Sequence, residues 1–378
     1  MRLCGTIVFL LSITRFNSGI ITVCPFLKPL GCKKYDVNFI NPSFQWPPQF
    51  EIQVYSAELQ NIVIVQPSQQ LFDSIGSSLK FLILRRCILS SFYLPTGLEH
   101  LEITGTEIEE FLLPEKSEIQ LKSLEVRNCS FGWLPNVLTQ MNRLGKLIIA
   151  DSEEDEVSLN DFSMLQAETL DLKGCNMDVT SIENLQLTTI CINKFKLTMP
   201  EFGGWTVPKL EHLDLSYNQI TELPKKLPVI NNVQHLHMNF NKITVVNMSE
   251  FETFVALKTL SLESNSLSNI TIEKKMELPV IEVLSLSYNY ISDLKFLDQI
   301  HMPNLRFLGL NGNGIVSLQS VMPHLRASYH VAFQISVQGN PLDCYWVQEE
   351  INRLEDSIIF QGYNLYMEVC GVTISISF

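Results

Sequence analysis

The sequence has little charge, and acidic side chains dominate what there is. Charged residues make up 18% of the 378 residues, and 40 acidic side chains against 27 basic ones give a formal net charge of −13 and a pI near 5.0. This sign is unsuited to following a polyphosphate backbone, so we expect no nucleic-acid partner. The 46% of hydrophobic residues can fill a large core and exclude a mainly disordered chain.

The sequence also lacks an apolar run long enough to cross a bilayer. Residues 3–13, after the basic start Met1-Arg2, form a run of about eleven residues, whereas a spanning helix needs about 20. We interpret residues 1–22 as a secretory signal peptide, with the mature chain starting between about residues 20 and 23. We therefore expect a secreted, extracellular protein with no membrane span.

Motifs of catalysis and cofactor binding are missing. The sequence has no Gly-x-Ser-x-Gly, no phosphate loop, no His-Glu-x-x-His and no glycine-containing calcium loop. The acidic run 151–156 has no ordered ligand spacing, so we interpret it as a solvated loop rather than a calcium site. We expect neither enzymatic activity nor a cofactor.

What the sequence does contain is an internal repeat. Leucine-type residues recur at positions 1, 4 and 6, followed by a small polar residue at 9 and an apolar one at 11. Clear copies start 23 or 24 residues apart, within the 20 to 29 of a leucine-rich repeat. These begin at Leu210, Val233, Ile281, Leu257 and Leu305, and weaker copies begin at Leu59, Leu79, Leu98, Leu121, Leu144, Ala167, Leu187 and Ala332.

This spacing predicts an α/β repeat fold, a leucine-rich repeat solenoid. Residues 3 to 7 of each copy should form a strand, with positions 4 and 6 in the core and positions 3, 5 and 7 facing outward. Successive strands would pair in parallel as a curved sheet on the concave face, with irregular or short helical segments on the convex side. Stacking then supplies a core that one copy cannot form alone.

Position 9 of each copy should point inward and bond to backbone groups of the turn. In the second half of the chain this position holds Asn218, Asn241, Asn265, Asn289, Asn313 and Asn340, and in the first half it holds Cys87, Thr106, Cys129, Ser152, Cys175 and Phe195. We therefore expect Cys87, Cys129 and Cys175 to be small buried thiols rather than halves of disulfides.

The ends of a solenoid need caps, and small caps of secreted proteins are commonly held by disulfides. We predict an N-terminal cap over 23–58, about 13 repeats over 59–343 and a C-terminal cap over 344–378. The predicted disulfides join Cys24 to Cys32 and Cys344 to Cys370.

Two kinds of side chain could be modified outside the cell. Cys191 has position 5 on the concave face, where it is either a half-covered thiol or the site of an intermolecular disulfide. Asn128, Asn247 and Asn269 begin Asn-x-Ser/Thr triplets and are candidate glycosylation sites.

Histidines and aromatic residues mark the candidate binding surface. The repeat register places His212 and Asp214 beside His235 and His237, with Cys191 one strand further. A zinc or copper site, a pH-dependent contact surface and simple solvation of the sheet are the alternatives; flat strands rarely converge on a metal, so we expect none. Position 8 holds Tyr217, Phe240 and Tyr288, which are either protein-binding anchors or ordinary repeat residues.

The copies between Leu210 and Ile315, the signal peptide and the segment Asn340-Pro-Leu-Asp-Cys344 resemble extracellular leucine-rich repeat proteins of animals. The Cys24/Cys32 segment, the degenerate first half and Glu349-Glu350 resemble, more narrowly, the leucine-rich repeat immune proteins of mosquitoes. Long members of that family add a coiled coil, through which they dimerise and hold a complement-like thioester protein. This chain has no heptad region and resembles the coil-less members.

The resemblance implies a secreted recognition protein of innate immunity. Its partner would be a host defence protein, such as a complement-like thioester protein, or a microbial surface, bound on the concave face. The alternative is an extracellular adhesion or matrix protein, or a receptor-modulating ligand, in development.

Overall fold

The protein is represented by a computed structural model, which describes residues 19–25, 33–37, 54–64, 78–114, 118–130, 132–184, 186–225, 230–321, 334–343, 345, 349, 364–369 and 372–377. The chain divides into two compact units, Met1–Val179 and Thr180–Phe378. In each unit one parallel strand per repeat builds the main sheet, and helix is scarce. This architecture confirms the predicted repeat solenoid.

The first unit contains fifteen strands among its described residues. Its main sheet has the order β2-β1-β3-β5-β8-β11-β12-β14, in which β1 is antiparallel to β2 and β3 and the pairs from β3 onward are parallel. Small parallel sheets β4-β6-β9, β7-β10 and β13-β15 complete the coils, with helix α1 (Leu134–Leu138) and a 3-10 helix, Leu159–Phe162. The strands are β1 (Gly19–Pro25), β2 (Lys33–Val37), β3 (Val54–Gln60), β4 (Val63–Ile64), β5 (Phe81–Arg85), β6 (Ile88–Leu89), β7 (Phe92–Tyr93), β8 (His100–Thr104), β9 (Glu107–Ile108), β10 (Phe111–Leu112), β11 (Ser123–Arg127), β12 (Lys146–Ala150), β13 (Glu153–Ser158), β14 (Thr169–Lys173) and β15 (Asn176–Asp178).

The second unit also contains fifteen strands in its described part. Its main sheet is parallel, in the order β17-β19-β20-β22-β25-β27-β28, and the antiparallel pair β29-β30 follows it in the chain. Small parallel sheets β16-β18, β21-β23 and β24-β26 and the 3-10 helices Met248–Phe251, Lys295–Gln299 and Gln319–Val321 complete the coils. The strands are β16 (Ser181–Glu183), β17 (Thr189–Asn193), β18 (Gly204–Thr206), β19 (His212–Asp214), β20 (His235–His237), β21 (Val245–Asn247), β22 (Thr259–Ser261), β23 (Asn269–Thr271), β24 (Met276–Glu277), β25 (Val283–Ser285), β26 (Ile300–His301), β27 (Phe307–Gly309), β28 (Gln334–Ser336), β29 (Asn364–Val369) and β30 (Val372–Ser377).

Burial alternates along most of the main strands as the repeat predicts, but position 5, predicted to face outward, is buried in β12, β22, β25 and β27. In β19, where burial alternates, Leu213 is fully buried while His212 is exposed and Asp214 half-buried. Leu236 on β20 and Leu260 on β22 are buried in register with Leu213. The leucines of successive coils therefore form one continuous row in the core of the second unit, which is the stacking that makes the repeat stable.

The beginning of the repeats differs from the prediction. Leu59 was expected to open the first copy, but it pairs with Leu84, which holds position 6 of the next copy. The strand of the first coil is therefore Val54–Gln60, partly inside the predicted cap. Strand β1 starts at Gly19, so it includes residues assigned to the signal peptide, 1–22. The first copy was misaligned because it lacks a leucine at positions 1 and 4.

The position-9 side chains join neighbouring coils in the second unit. Asn241 Nδ2 donates to the carbonyl oxygen of Leu215 at 3.0 Å, and its Oδ1 accepts the N–H of Ile220 at 3.0 Å. Asn265, Asn289 and Asn313 repeat these two bonds one coil further along each time. Backbone groups that would otherwise be buried without partners are thus bonded.

In the first unit, thiols and hydroxyls replace the asparagine amides. Cys87 Sγ lies 3.4 Å from the carbonyl oxygen of Leu59, and Cys175 Sγ lies 3.4 Å from that of Ile149. Cys87, Cys129 and Cys175 are free thiols; Cys87 and Cys175 are buried and Cys129 is half-buried. Burial raises the pKa of Cys87 and of Cys175 to about 11, against partial stabilisation of the thiolate by hydrogen bonds.

Several predictions concern residues outside this description. The side chain of Cys24 and all of Cys32, Cys344 and Cys370 lie outside the described residues, so both predicted disulfides remain predictions. Across the residues that are described, no helix is long and apolar enough to cross a membrane.

Candidate functional site

The predicted histidines lie side by side on the outward face of the second unit's sheet. His212 on β19 pairs in register with His235 on β20, and their rings stack with centroids 4.4 Å apart and planes 6° apart. His235 Nδ1 lies 3.0 Å from Thr259 Oγ1 on β22. The orientation of the His235 ring is therefore fixed by partners on both flanking strands, β19 and β22.

A second polar row, at position 5, runs beside the histidine stack. Cys191, Asp214 and His237 are register partners on β17, β19 and β20, as the sequence predicted. Asp214 Oδ1 accepts the N–H of Ser216 at 2.9 Å, and Oδ2 accepts from Asn193 Nδ2 at 3.3 Å. Asn193 Oδ1 is buried without a hydrogen-bond partner in the described part of the chain. The row therefore contains an oriented carboxylate, and the unsatisfied acceptor of Asn193 lies beside it at position 7.

Burial and crowding disfavour positive charge on the histidines. The pKa of His235 lies below its usual range because of desolvation first, and then because of the neighbouring charges of His212, His237 and Lys258. Desolvation also lowers the pKa of His237, against the opposing effect of Asp214 and Glu263. Both imidazoles are thus mainly neutral at pH 7 and can donate and accept hydrogen bonds.

The arrangement does not close around a metal. Side chains on neighbouring flat strands stay parallel, as the stacked rings of His212 and His235 show. Within the described ranges, no group of three or more His, Cys, Asp or Glu side chains is placed to hold a metal ion.

Position 8 of every coil has a left-handed backbone, and we call these residues of the second unit the left-handed row. Tyr217, Phe240, Ser264 and Tyr288 have φ of 60°, 54°, 52° and 57°, and Lys194, Gly312 and Gly339 complete the row. From Lys194 to Gly312, the N–H of each residue in the row bonds to the next coil; that of Phe240, for example, donates to the carbonyl oxygen of Glu263 at 2.9 Å. The neighbouring coils thus impose this conformation even on aromatic residues.

Two of the three predicted aromatic anchors form one exposed stack. The rings of Tyr217 and Phe240 have centroids 4.4 Å apart and planes 8° apart, with 50% and 46% of each residue exposed. Tyr288 is 58% exposed but is separated from Phe240 by the coil of Ser264. A large side chain in the left-handed region is disfavoured by roughly 1 to 2 kcal/mol, so three aromatic residues there are an unusual feature.

The outward face of the first unit's sheet has a different chemistry. Three acidic side chains on this face are paired with arginines: Arg85 contacts Glu58 at 3.2 Å and Glu102 at 3.1 Å, and Arg127 contacts Glu125. Ile148, expected to face outward, is buried to 9% exposure. Because these charges are neutralised internally, the candidate site lies in the second unit.

The remaining predicted residues are scattered. Asn128 and Asn269 are exposed, whereas Asn247 is half-buried and its Oδ1 accepts the N–H of Ser249 at 3.1 Å. Cys191 is half-buried. The glycosylation of the three asparagines and an intermolecular disulfide at Cys191 remain predictions.

Three residues of the site were missed from the sequence. Asn193, Glu263 and Ser264 lie beside the predicted residues, at positions 7, 7 and 8 of their copies. The repeat register could have placed them on the surface. Their importance depends on hydrogen bonds and ring positions, which the register does not contain.

Comparison with known proteins finds leucine-rich repeats in the same part of the chain where parallel strands pair copy to copy. Residues 208–267 and 255–315 match the family profile described as Leucine rich repeat. Residues 208–315 are leucine-rich repeats. The human protein named leucine-rich repeats and immunoglobulin-like domains protein 3 is 28% identical over 174 residues, which are 44% of this chain and 15% of that protein.

Two further leucine-rich repeat relatives match similar lengths. Human lumican is 26% identical over 187 residues, 46% of this chain and 53% of lumican. Toll-like receptor 4 of Boselaphus tragocamelus is 24% identical over 165 residues, 40% of this chain and 19% of the receptor. The chain thus spans about half or less of the length of these relatives.

Solved structures give looser similarities. An internalin from Listeria monocytogenes has a TM-score of 0.40 at 15% identity, covering 75% of this chain and 81% of the internalin. The TLR13-ssRNA13 complex has a TM-score of 0.46 at 17% identity, covering 83% and 51%. The assignment of leucine-rich repeats rests on the strand pairing and the family profile.

Proposed function

We propose that the protein is a secreted, non-catalytic recognition protein of innate immunity. It binds a host defence protein or a protein on a microbial surface through the second unit, at a site formed by His212, Asp214, Tyr217, His235, His237, Phe240 and Tyr288. The observation that carries the proposal is the exposed stack of Tyr217 on Phe240 in left-handed backbone. Strained and exposed aromatic residues are retained at binding sites, where their large rigid surfaces anchor a partner.

The polar part of the site complements this aromatic anchor. His212 and Asp214 belong to the coil of Tyr217, and His235 and His237 belong to the coil of Phe240. The imidazoles of His235 and His237 and the oriented carboxylate of Asp214 can make hydrogen bonds that fix a partner's orientation. An aromatic anchor with polar neighbours is the usual composition of a protein interface centre.

The direct test is capture of partners from the extracellular fluid of the source animal, followed by crosslinking mass spectrometry. The variant Tyr217→Gly/Phe240→Gly removes both rings, and its glycines adopt left-handed backbone without strain. We expect an unchanged fold and loss of the captured proteins. Val255→Ser is the matched control, since Val255 is 69% exposed but lies outside the left-handed row.

The identity of the captured proteins separates the two biological roles. Defence proteins or microbial surface proteins, with a transcript that rises on infection, support the immune role. Adhesion, matrix or receptor proteins would instead support an extracellular adhesion or receptor-modulating ligand. The match to lumican keeps this second role in view beside the matches to Toll-like receptors.

A further inference from the structure

The left-handed row of the second unit has a gap between two aromatic rings. Tyr217 and Phe240 stack directly, but the next coil carries Ser264, and the ring series resumes only at Tyr288. Ser264 is small and half-buried, whereas Phe240 and Tyr288 are 46% and 58% exposed. We call the space over Ser264, between Phe240 and Tyr288, the aromatic gap.

The width of the aromatic gap follows from the coil spacing. Adjacent parallel strands lie about 4.8 Å apart, so side chains two coils apart are separated by about 9 to 10 Å. Half of that separation is close to the 4.4 Å between the stacked rings of Tyr217 and Phe240. One flat group over Ser264 would therefore take the place of the ring that is missing between Phe240 and Tyr288.

The far wall of the gap is held in place by a glycine. A Cβ at Gly312 would lie 2.7 Å from Tyr288 Cδ1, so the Tyr288 ring lies directly against the coil of Gly312. The backbone of Tyr288 is also fixed, because its N–H donates to the carbonyl oxygen of Asn311 at 2.6 Å. Tyr288 is thus a preformed wall, which limits the ordering that a ligand must impose.

The charge beside the gap favours a cation. Glu263 immediately precedes Ser264, and its carboxylate accepts a hydrogen bond from Ser285 Oγ on the coil of Tyr288. The whole chain carries a formal net charge of −13. Aromatic faces attract cations, and the guanidinium group is both flat and cationic, whereas an ammonium group is compact and not planar.

We propose that the aromatic gap binds the guanidinium group of an arginine side chain presented by the protein partner. Phe240 and Tyr288 stack on its two faces, and Glu263 supplies the opposite charge. This proposal rests on the proposed function and specifies the partner's chemistry at that site.

The test compares two peptides on the full-length protein. Binding of fluorescently labelled hexa-arginine and hexa-lysine is measured by anisotropy at one fixed ionic strength, because both peptides share the non-specific attraction to an acidic protein. We expect hexa-arginine to bind about tenfold more tightly, the effect of one partly desolvated cation-aromatic contact. Equal affinities for the two peptides would overturn the proposal.

Two substitutions at one position give a matched pair. Ser264→Tyr fills the gap without changing the charge, so hexa-arginine should then bind no more tightly than hexa-lysine. Ser264→Gly leaves the gap open in a backbone that suits glycine, so the tenfold preference should remain. Retention of the preference in Ser264→Tyr would show that arginine binds elsewhere.

A further variant provides the same test if the Ser264→Tyr protein does not fold. Phe240→Gly/Tyr288→Gly removes both walls in backbone that favours glycine, and it should lose the same preference. Capture of natural partners is repeated with Ser264→Tyr. Undiminished capture would refute the arginine contact while leaving the proposed function intact, and loss of partners from Tyr217→Gly/Phe240→Gly tests that function separately.

Discussion

The side-chain amide of Asn265 donates to the carbonyl oxygen of Met238 on the preceding coil, at 2.9 Å. The same side chain accepts the N–H of Ile243 at 3.0 Å, and Asn265 is only 7% exposed. One residue thus satisfies a buried carbonyl and a buried N–H of the neighbouring coil.

Asn265→Ala should therefore destabilise the protein strongly. It leaves both backbone groups buried without this partner, and we expect a loss of about 2 to 4 kcal/mol in the free energy of unfolding. Urea denaturation followed by circular dichroism measures the effect. Ser266→Ala, at the half-buried next residue, is the control and should change the midpoint little; equal midpoints for the two variants would contradict the structural role of Asn265.

The free energy of unfolding should decrease when the pH is lowered through the range in which histidine side chains become protonated. In the folded protein the pKa values of His235, His237 and His100 are lowered, in each case chiefly by desolvation. The unfolded chain has ordinary histidines with pKa values near 6.5, so below that pH it binds more protons than the folded protein. The stability is therefore fully present above about pH 7 and declines as the pH falls toward 5.

Thermal unfolding between pH 7.5 and pH 5.0 checks this expectation. The variant His235→Asn/His237→Asn should show a smaller decrease in melting temperature over this range than the wild type. His301→Asn, on the exposed end of β26, serves as the control. A decrease as steep in the double variant as in the wild type would mean that other groups dominate the pH dependence.

Gly312→Ala should destabilise the left-handed row. Gly312 has a φ of 60°, and a Cβ there would lie 2.7 Å from Tyr288 Cδ1. We expect a loss of about 1 to 3 kcal/mol from backbone strain and from displacement of the tyrosine ring. Gly314→Ala is the matched control, because its Cβ would meet no atom closer than 3.6 Å; comparable losses from both substitutions would show that the contact with Tyr288 is unimportant.

The cysteines should differ in their rates of alkylation. Cys87 and Cys175 are buried, and desolvation raises the pKa of each to about 11, so very little reactive thiolate exists at pH 7.5. Under native conditions we expect iodoacetamide to modify both more slowly than the half-buried Cys129. Peptide mapping by mass spectrometry over time measures the rates, with the urea-unfolded protein as the reference in which the difference should vanish.

Asn247 and Asn269 should differ in their contribution to stability. Asn247 caps the 3-10 helix Met248–Phe251 through Ser249, and its Nδ2 donates to Glu273 at 3.0 Å. Asn247→Ala should therefore lose about 1 kcal/mol of stability, whereas Asn269→Ala at an exposed position should stay within about 0.5 kcal/mol. Chemical denaturation of both variants, produced without glycans, gives the comparison, and similar midpoints would contradict the capping role.

The sequence alone determined the solenoid and most of its register. Leucines at positions 4 and 6 indicate a strand with one buried face. The regular spacing of the copies places Asp214 beside His237, because parallel strands of successive copies pair in register. The same register placed the position-9 asparagines and cysteines in the core. It failed at Leu59, where the first copy lacks the leucines that would show where it begins.

Only the tertiary structure decided which contacts and hydrogen bonds these neighbouring side chains make. The stacking of Tyr217 on Phe240, the separation of Tyr288 by Ser264, and the unsatisfied acceptor of Asn193 depend on rotamers and on left-handed backbone imposed by the next coil. A repeat pattern shows which residues occupy the same position in successive coils, because buried residues recur at a fixed interval along the sequence. It does not show which rotamer each side chain adopts, because the rotamer is set by contacts with residues of neighbouring coils that are distant in the sequence.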